Sequence, residues 1–204
     1  MPRTRLPVNE WSHLRLQDRI RPGLRVLFVG INPGVRSAMT GHHFAGYSNR
    51  FWKLLYESGL VPEPMTFEHD DRLPQFGFGM TNLIARPSPG IDDLLRSEYV
   101  DGWKALAAKI RRYRPEIVAL VGVTLYRAIE PLIAADGERP ARSAAMRLGL
   151  QATTIHDAQV FVLPNPSGRN ANFSYAEMLA AFRLLRRRIS GPPRRRVRAG
   201  GAST

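Results

Sequence analysis

The chain has 204 residues, of which 44% are hydrophobic and 23% are charged, a size and composition typical of one globular domain with terminal extensions. Its 30 Lys and Arg residues outnumber its 17 Asp and Glu residues, and the net charge of +13 favours a polyanionic partner such as nucleic acid. The absence of cysteine excludes disulfides, iron–sulfur clusters, thiolate zinc sites and a cysteine nucleophile.

Apolar runs and amphipathic segments alternate along the chain. The run from Val26 to Val29 is typical of a strand buried on both faces. The other elements predicted, in chain order, are a helix opened by Ser48 and Asn49, a loop from Pro62 to about Asp71, a strand from Met80 to Ile84, a helix from Asp101 to Tyr113, a second buried strand from Ile117 to Val121, a helix from about Leu125 to Ala134, strands from Ala152 to Ile155 and from Val160 to Leu163, and a last helix with a capping box at Ser174 and Glu177.

This alternation predicts an α/β fold with a short, mainly parallel central sheet covered by helices on both faces. We divide the chain into an N-terminal extension (1–21), one domain (22–189) and a basic disordered tail (190–204). Seven arginines and no acid lie in the last nineteen residues. We expect these arginines to contribute nothing to the fold and to strengthen binding to nucleic acid by counterion release.

Two loops place an asparagine beside a proline at the carboxyl end of a predicted strand. Gly30-Ile31-Asn32-Pro33-Gly34 follows the first strand and Pro164-Asn165-Pro166-Ser167-Gly168 follows the last. Ligands of parallel α/β sheets bind at this edge, so the loops are candidates for one site, although Asx turns alone would explain either asparagine. Neither loop contains His, Cys, Lys, Asp or Glu, and the phosphate-loop and dinucleotide fingerprints are missing. We therefore expect no metal and no nucleotide cofactor.

An ordered set of motifs resembles the mismatch-specific uracil- and thymine-DNA glycosylase branch of the uracil-DNA glycosylase superfamily. The resemblance covers roughly residues 22–188 and is carried by Gly30-Ile31-Asn32-Pro33-Gly34, Ser37-Ala38, Asn49-Arg50-Phe51-Trp52, Thr81-Asn82-Leu83, Arg86-Pro87 and Asn165-Pro166-Ser167-Gly168. It implies a three-layer α/β/α sandwich and hydrolysis of the bond between base and deoxyribose without a cofactor. The substrate implied is double-stranded DNA with a mismatched or damaged base, which is flipped out of the helix.

The resemblance also implies roles for individual residues. Asn32 would position the attacking water, and the backbone amides around Ile31 and Gly34 would face the base. Phe44 would stack on the flipped base, with ordinary packing as the alternative. The remaining implied contacts are Asn165 with the pocket and the flanking phosphate, Ser167 and Gly168 with the DNA backbone, and Ser37 with a phosphate or the base.

Two departures from the family pattern leave roles open. The first motif has no acid here, so we expect modest turnover, and Asp93, or less favourably Asp92, is the candidate to supply a carboxylate; N-capping is the alternative for both. Arg169 stands where related sequences often place an apolar wedge, and an arginine there could insert and reach the opposite guanine.

The sequence thus predicts a monomeric, monofunctional DNA glycosylase with no membrane contact. We expect it in the cytoplasm, associated with the nucleoid if the source is bacterial, because no secretory or membrane-spanning apolar run is present. Two alternatives stay open at this point: a DNA-binding module that kept the fold and lost catalysis, and a glycosylase restricted to another lesion.

Overall fold

A five-stranded sheet with helices on both faces forms the body of the protein. The structure, a computed structural model, describes residues 10–137 and 148–190. The strands and longer helices, in chain order, are β1 (Val26–Gly30), α1 (Val35–Thr40), α2 (Phe51–Glu57), β2 (Phe78–Asn82), α3 (Arg96–Tyr113), β3 (Ile117–Val121), α4 (Val123–Ala135), β4 (Gly149–Ile155), β5 (Ala158–Leu163) and α5 (Tyr175–Ser190). Short 3₁₀ helices span Phe67–Phe76 and Ile91–Asp93.

The strand order β2-β1-β3-β5-β4 brings the carboxyl ends of four parallel strands to one edge. β1 pairs in parallel with β2 and β3, and β3 pairs in parallel with β5. Among the strands named above, β4 and β5 form an antiparallel hairpin. The predicted α/β class with a mainly parallel sheet is therefore confirmed.

Both faces of the sheet are buried, which explains the unbroken apolar run of β1. Val26 and Phe28 pack into a cluster with residues of α2 and α5. Leu27 and Val29 belong to a second cluster, with residues of α3 and α4. Because successive side chains of a strand point to opposite faces, a strand between two helical layers needs apolar residues at every position.

Several element boundaries differ from those predicted. β2 begins two residues before the predicted Met80, and the N–H groups of Leu83 and Ile84 bond instead to the carbonyls of Gly30 and Ile31. The predicted loop after Pro62 ends in a 3₁₀ helix, and the short α1 was missed. None of the helices in residues 10–137 and 148–190 is long and apolar enough to cross a membrane.

Two terminal arginines contribute to the fold, contrary to the expectation for the C-terminal cluster. Arg186 donates from Nε to the carbonyl of Gly59, and Arg188 donates from Nε to Oε1 of Gln159. The other four arginines of the cluster that follow α5 lie outside the described residues. At the other terminus, Arg19 pairs through its backbone with Met80 of β2 and so covers that edge of the sheet.

Candidate active site

The loop after β1 holds the Asn32 side chain in one orientation. Its Nδ2 lies 2.8 Å from Oγ of Ser88, 3.3 Å from the carbonyl of Arg86 and 3.2 Å from the carbonyl of Pro33. Both carbonyls can only accept, so the nitrogen of the amide must face them. No described residue donates a hydrogen bond to Oδ1, and the residue is partly exposed. The amide oxygen is therefore available to a water molecule.

Ser88 gives a second, independent reason for this orientation. Its hydroxyl donates to the carbonyl of Gly90 at 2.5 Å, so its oxygen must accept at Asn32. Ser88 is 2% exposed and pairs across a parallel bridge with Gly34. The segment that contains Ser88 thus contacts the Asn32 loop and holds it in place.

Arg86 anchors this supporting segment to α3. Its guanidinium forms two hydrogen bonds of 2.6 and 2.7 Å to the carboxylate of Glu98 and a third to the carbonyl of Asp93. The hydrogen bond from Arg86 is the main reason that the pKa of Glu98 lies below its ordinary value. Such a bidentate ion pair fixes direction as well as distance, so the acceptors of Asn32 are themselves held in place.

A second amide and an aromatic ring meet at the end of β1. A Cβ atom at Gly30 would lie 2.6 Å from Oδ1 of Asn82 and 4.0 Å from Cζ of Phe44. A larger residue at position 30 would therefore displace the Asn82 amide, whereas Phe44 would be in ordinary contact with it. Asn82, the last residue of β2, was not predicted as a site residue, although it belongs to a motif that carries the family resemblance.

Phe44 combines core packing with exposure. Its ring stacks on that of Phe51, with centroids 4.0 Å apart and an interplanar angle of 13°. Its backbone adopts φ 54°, the left-handed region that costs energy for residues other than glycine. Phe44 is nonetheless partly exposed. One face of the Phe44 ring thus packs against Phe51, as the packing alternative requires. Stacking of Phe44 on a flipped base stays a prediction.

A buried carboxylate fixes the loop that presents Phe44. Asp70 is fully buried and accepts hydrogen bonds from Nε of Arg19 at 2.9 Å and the backbone N–H of His43 at 2.8 Å, and it contacts Nδ1 of His42 at 3.1 Å. Burial lowers the pKa of His43, whose Nε2 donates to the carbonyl of Gln17. These contacts fix the two residues before Phe44 and so support its left-handed backbone conformation.

The loop after β5 stands across the end of β3 from the Asn32 loop. The strand order places one strand between the two loops, a separation of about 10 Å at the sheet edge from the spacing of paired strands. Asn165 is exposed, and its Oδ1 accepts from the N–H of Ser167 at 3.0 Å, which is the Asx-turn geometry considered for it. Its Cβ lies 3.8 Å from the place of a Cβ on Gly122, at the end of β3.

Gly168 packs against protein in this structure. A Cβ there would lie 2.5 Å from Cβ of Ser48, so a larger residue would separate the two loops. The N–H of Arg50 donates to the carbonyl of Pro166 at 2.9 Å. The loop of residues 45–50 and the loop after β5 are therefore in direct contact. Approach of Gly168 to a DNA backbone stays a prediction.

The other candidate residues lie in different environments. Ser37 is 6% exposed, and its Oγ accepts from the N–H of Ala45 at 3.0 Å, so this hydroxyl supports the Phe44 loop. Arg169 is exposed on the turn after Gly168. Asp92 and Asp93 are both exposed, and Oδ2 of Asp93 accepts from the N–H of Gly90 at 3.1 Å, the capping contact considered for it. Their roles toward DNA and water stay predictions.

Together, the two Asn-Pro loops, the amides of Asn32 and Asn82 and the partly exposed ring of Phe44 form a candidate site at the carboxyl edge of a short parallel sheet in an α/β protein. A family model of the uracil DNA glycosylase superfamily matches residues 17–186, and the chain belongs to that superfamily. The fold is also similar to the solution NMR structure of a Methanosarcina acetivorans protein with a provisional assignment as a uracil DNA glycosylase. The two chains are 17% identical, the TM-score is 0.52, and the match covers 85% of this chain and 98% of the other.

Proposed function

We propose that this protein is a monofunctional glycosylase that removes uracil, and also thymine or other damaged pyrimidines, from mismatched double-stranded DNA. Membership of the superfamily supports hydrolysis of an N-glycosidic bond in DNA. The observation that carries the proposal is the Asn32 amide, whose nitrogen is committed to three acceptors and whose oxygen is left for water. A fixed acceptor of this kind orients a water molecule without first giving up solvent hydrogen bonds.

In the proposed reaction the bond between C1′ and the base breaks, and its electron pair leaves with the base. The sugar passes through a state with oxocarbenium character, as in glycoside hydrolysis. The water held by Asn32 attacks C1′ and releases its proton to solvent. In this proposal the backbone amides of Ile31 and Gly34 and the side-chain amide of Asn82 donate hydrogen bonds that stabilise the negative charge on the departing base.

Base flipping gives the selectivity of this proposal a physical basis. Extrusion of a base costs a few kcal/mol, and least for a mismatched base. A G·U or G·T pair would therefore be processed faster than A·U even if the pocket contacts were the same. Phe44 would stack on the extruded base, and Ser167, Gly168 and Arg169 would contact the strand that carries it.

A second candidate, a DNA-binding module with little catalysis, is favoured by one observation. Among the described residues no carboxylate hydrogen-bonds to Asn32, and Asp93 is occupied by the N–H of Gly90. One experiment separates the two candidates. The protein, in excess, is incubated with duplexes that contain one G·U, G·T, A·U, hypoxanthine or ethenocytosine site, and alkali then cleaves at each abasic site.

We expect cleavage at G·U, and we expect Asn32→Ala to lower the single-turnover rate by at least about tenfold, or about 1.4 kcal/mol, with DNA affinity retained. Cleavage of no duplex would favour the binding module, and cleavage at another site alone would favour the glycosylase restricted to that lesion. A normal rate for Asn32→Ala would remove Asn32 from the proposed role.

A further inference from the structure

Tyr47 exposes its ring to solvent in a fixed position. The residue is 88% exposed, more than any other large apolar side chain in residues 10–137 and 148–190. The guanidinium of Arg36 lies 3.8 Å from the ring centroid, the geometry of a cation–π contact. Arg36 also donates to the carbonyl of Ala45. The ring is therefore ordered from one side by a cation that is itself anchored.

The position of Tyr47 places this ring on the rim of the candidate site. Tyr47 belongs to the loop of residues 45–50, which begins just after Phe44. Its neighbour Ser48 is in close contact with Gly168, at the loop after β5. Arg36 lies on α1, which begins directly after the Asn32 loop. Tyr47 is thus connected to both loops of the candidate site, to the Asn32 loop through Arg36 and to the loop after β5 through Ser48.

The charge around this rim favours nucleic acid over a protein partner. Residues 26–56 contain no acid and include Arg36 and Arg50, while Lys53 in the same segment is paired with Glu57 at 3.6 Å. Residues 158–176 also contain no acid and include Arg169. A single exposed aromatic residue is ordinary on a protein surface. Proteins bind unpaired nucleotides through aromatic rings that stack on the bases and through positively charged residues that contact the backbone. A fixed aromatic ring within an acid-free segment combines these two features.

We propose that Tyr47 stacks on a base left unstacked when the target nucleotide is flipped out, while Arg36 covers one side of the ring and faces the phosphates. This inference rests on the proposed function, because flipping is what exposes a base face next to the site. The ring of a paired duplex base is already covered by its neighbours. Tyr47 should therefore contribute to binding of the distorted duplex and little to binding of an intact one.

The test compares the affinities of Tyr47→Ala, Tyr47→Phe and the unchanged protein for two duplexes of one sequence. One duplex carries a G·U pair with a 2′-fluoro substituent that blocks excision, and the other is fully paired. Fluorescence anisotropy reports binding without any need for catalysis. Tyr56→Ala is the matched control, because Tyr56 is a 43% exposed tyrosine on α2, outside the rim.

We expect Tyr47→Ala to bind the G·U duplex about 5- to 150-fold more weakly, the range measured for one base stacked on an aromatic side chain. Its affinity for the paired duplex should change less than about twofold by the same reasoning, and Tyr47→Phe and Tyr56→Ala should match the unchanged protein on both. Equal losses on both duplexes, no loss on either, or equal binding of both duplexes by the unchanged protein would overturn the inference.

The outcome is distinguishable from failure of the proposed function. If the protein excises no base but Tyr47→Ala loses affinity for the G·U duplex alone, the stacking role stands and the activity does not. If the protein excises uracil and Tyr47→Ala binds normally, the activity stands and the stacking role does not. Because the ring is exposed, thermal unfolding of Tyr47→Ala should match that of the unchanged protein, which confirms that the variant is folded.

Discussion

Ser88→Ala tests whether a buried hydroxyl controls the reaction by orienting Asn32. The substitution removes the shortest of the three contacts of Nδ2, at 2.8 Å, and leaves acceptors at 3.2 and 3.3 Å. It also removes the hydrogen bond from Ser88 to Gly90. Each neutral hydrogen bond contributes about 1 kcal/mol, and an unpaired buried group costs about 1–3 kcal/mol. The Asn32 amide keeps two hydrogen-bond acceptors, so its orientation should become less restricted but should not be lost.

We expect Ser88→Ala to lower the single-turnover rate on a G·U duplex by about 3- to 30-fold, less than Asn32→Ala does. The double variant should be no slower than Asn32→Ala alone, because Ser88 acts only through that side chain. The rate is measured with saturating enzyme and alkaline cleavage of the abasic product. Ser97→Ala, at an exposed serine of α3, is the matched control and should react at the normal rate.

Two outcomes would refute this reasoning. A normal rate for Ser88→Ala would mean that the two carbonyls suffice to orient the amide. Losses that add in the double variant would mean that Ser88 acts on the reaction by a route that does not pass through Asn32. Anisotropy measured on the same duplex should show normal affinity, which separates loss of orientation from loss of binding.

Two further predictions concern ionisable groups. Asp93→Ala should slow excision and Asp92→Ala should slow it less, and normal rates for both in the single-turnover assay would leave these residues as caps. His43 should make the protein less stable as pH falls below about 6.5, because the unfolded chain takes up a proton there that the buried ring, with its lowered pKa, resists. Urea unfolding from pH 7.5 to 5.5 should show a smaller fall in stability for His43→Asn than for the exposed control His13→Asn, and equal falls would contradict the assignment.

Local sequence patterns were sufficient to predict a structural feature wherever that feature depends on residues close together in the chain. The apolar runs of β1 and β3 predicted strands buried on both faces, and all five residues of each are buried. The capping box predicted at the start of α5 is present, since Oε2 of Glu177 accepts from the N–H of Ser174 and Oγ of Ser174 accepts from the N–H of Glu177. Such contacts join residues three apart in the sequence, so they can be predicted without knowledge of the fold.

The two loops of the candidate site could be singled out for the same reason. The two Asn-Pro loops could be recognised because each directly follows a strand, and parallel strands end at one edge. The sequence could not assign a partner to either loop, because the strand order decides which ends are neighbours. The insertion of β3 between β1 and β5 is a property of the sheet as a whole.

What only the tertiary structure decided are the contacts between residues far apart in the chain. Ser88 reaches Asn32 across 56 positions, and Arg19 reaches Asp70 across 51. In the sequence, Ser88 is a serine between two prolines, and Asp70 is an acid in a polar segment. Their roles come from burial. A buried polar group cannot form hydrogen bonds with water, so it must form them with another group of the protein. The sequence alone thus determined the fold class, the buried strands and the two loops proposed as the site, and tertiary packing decided which buried polar groups orient Asn32.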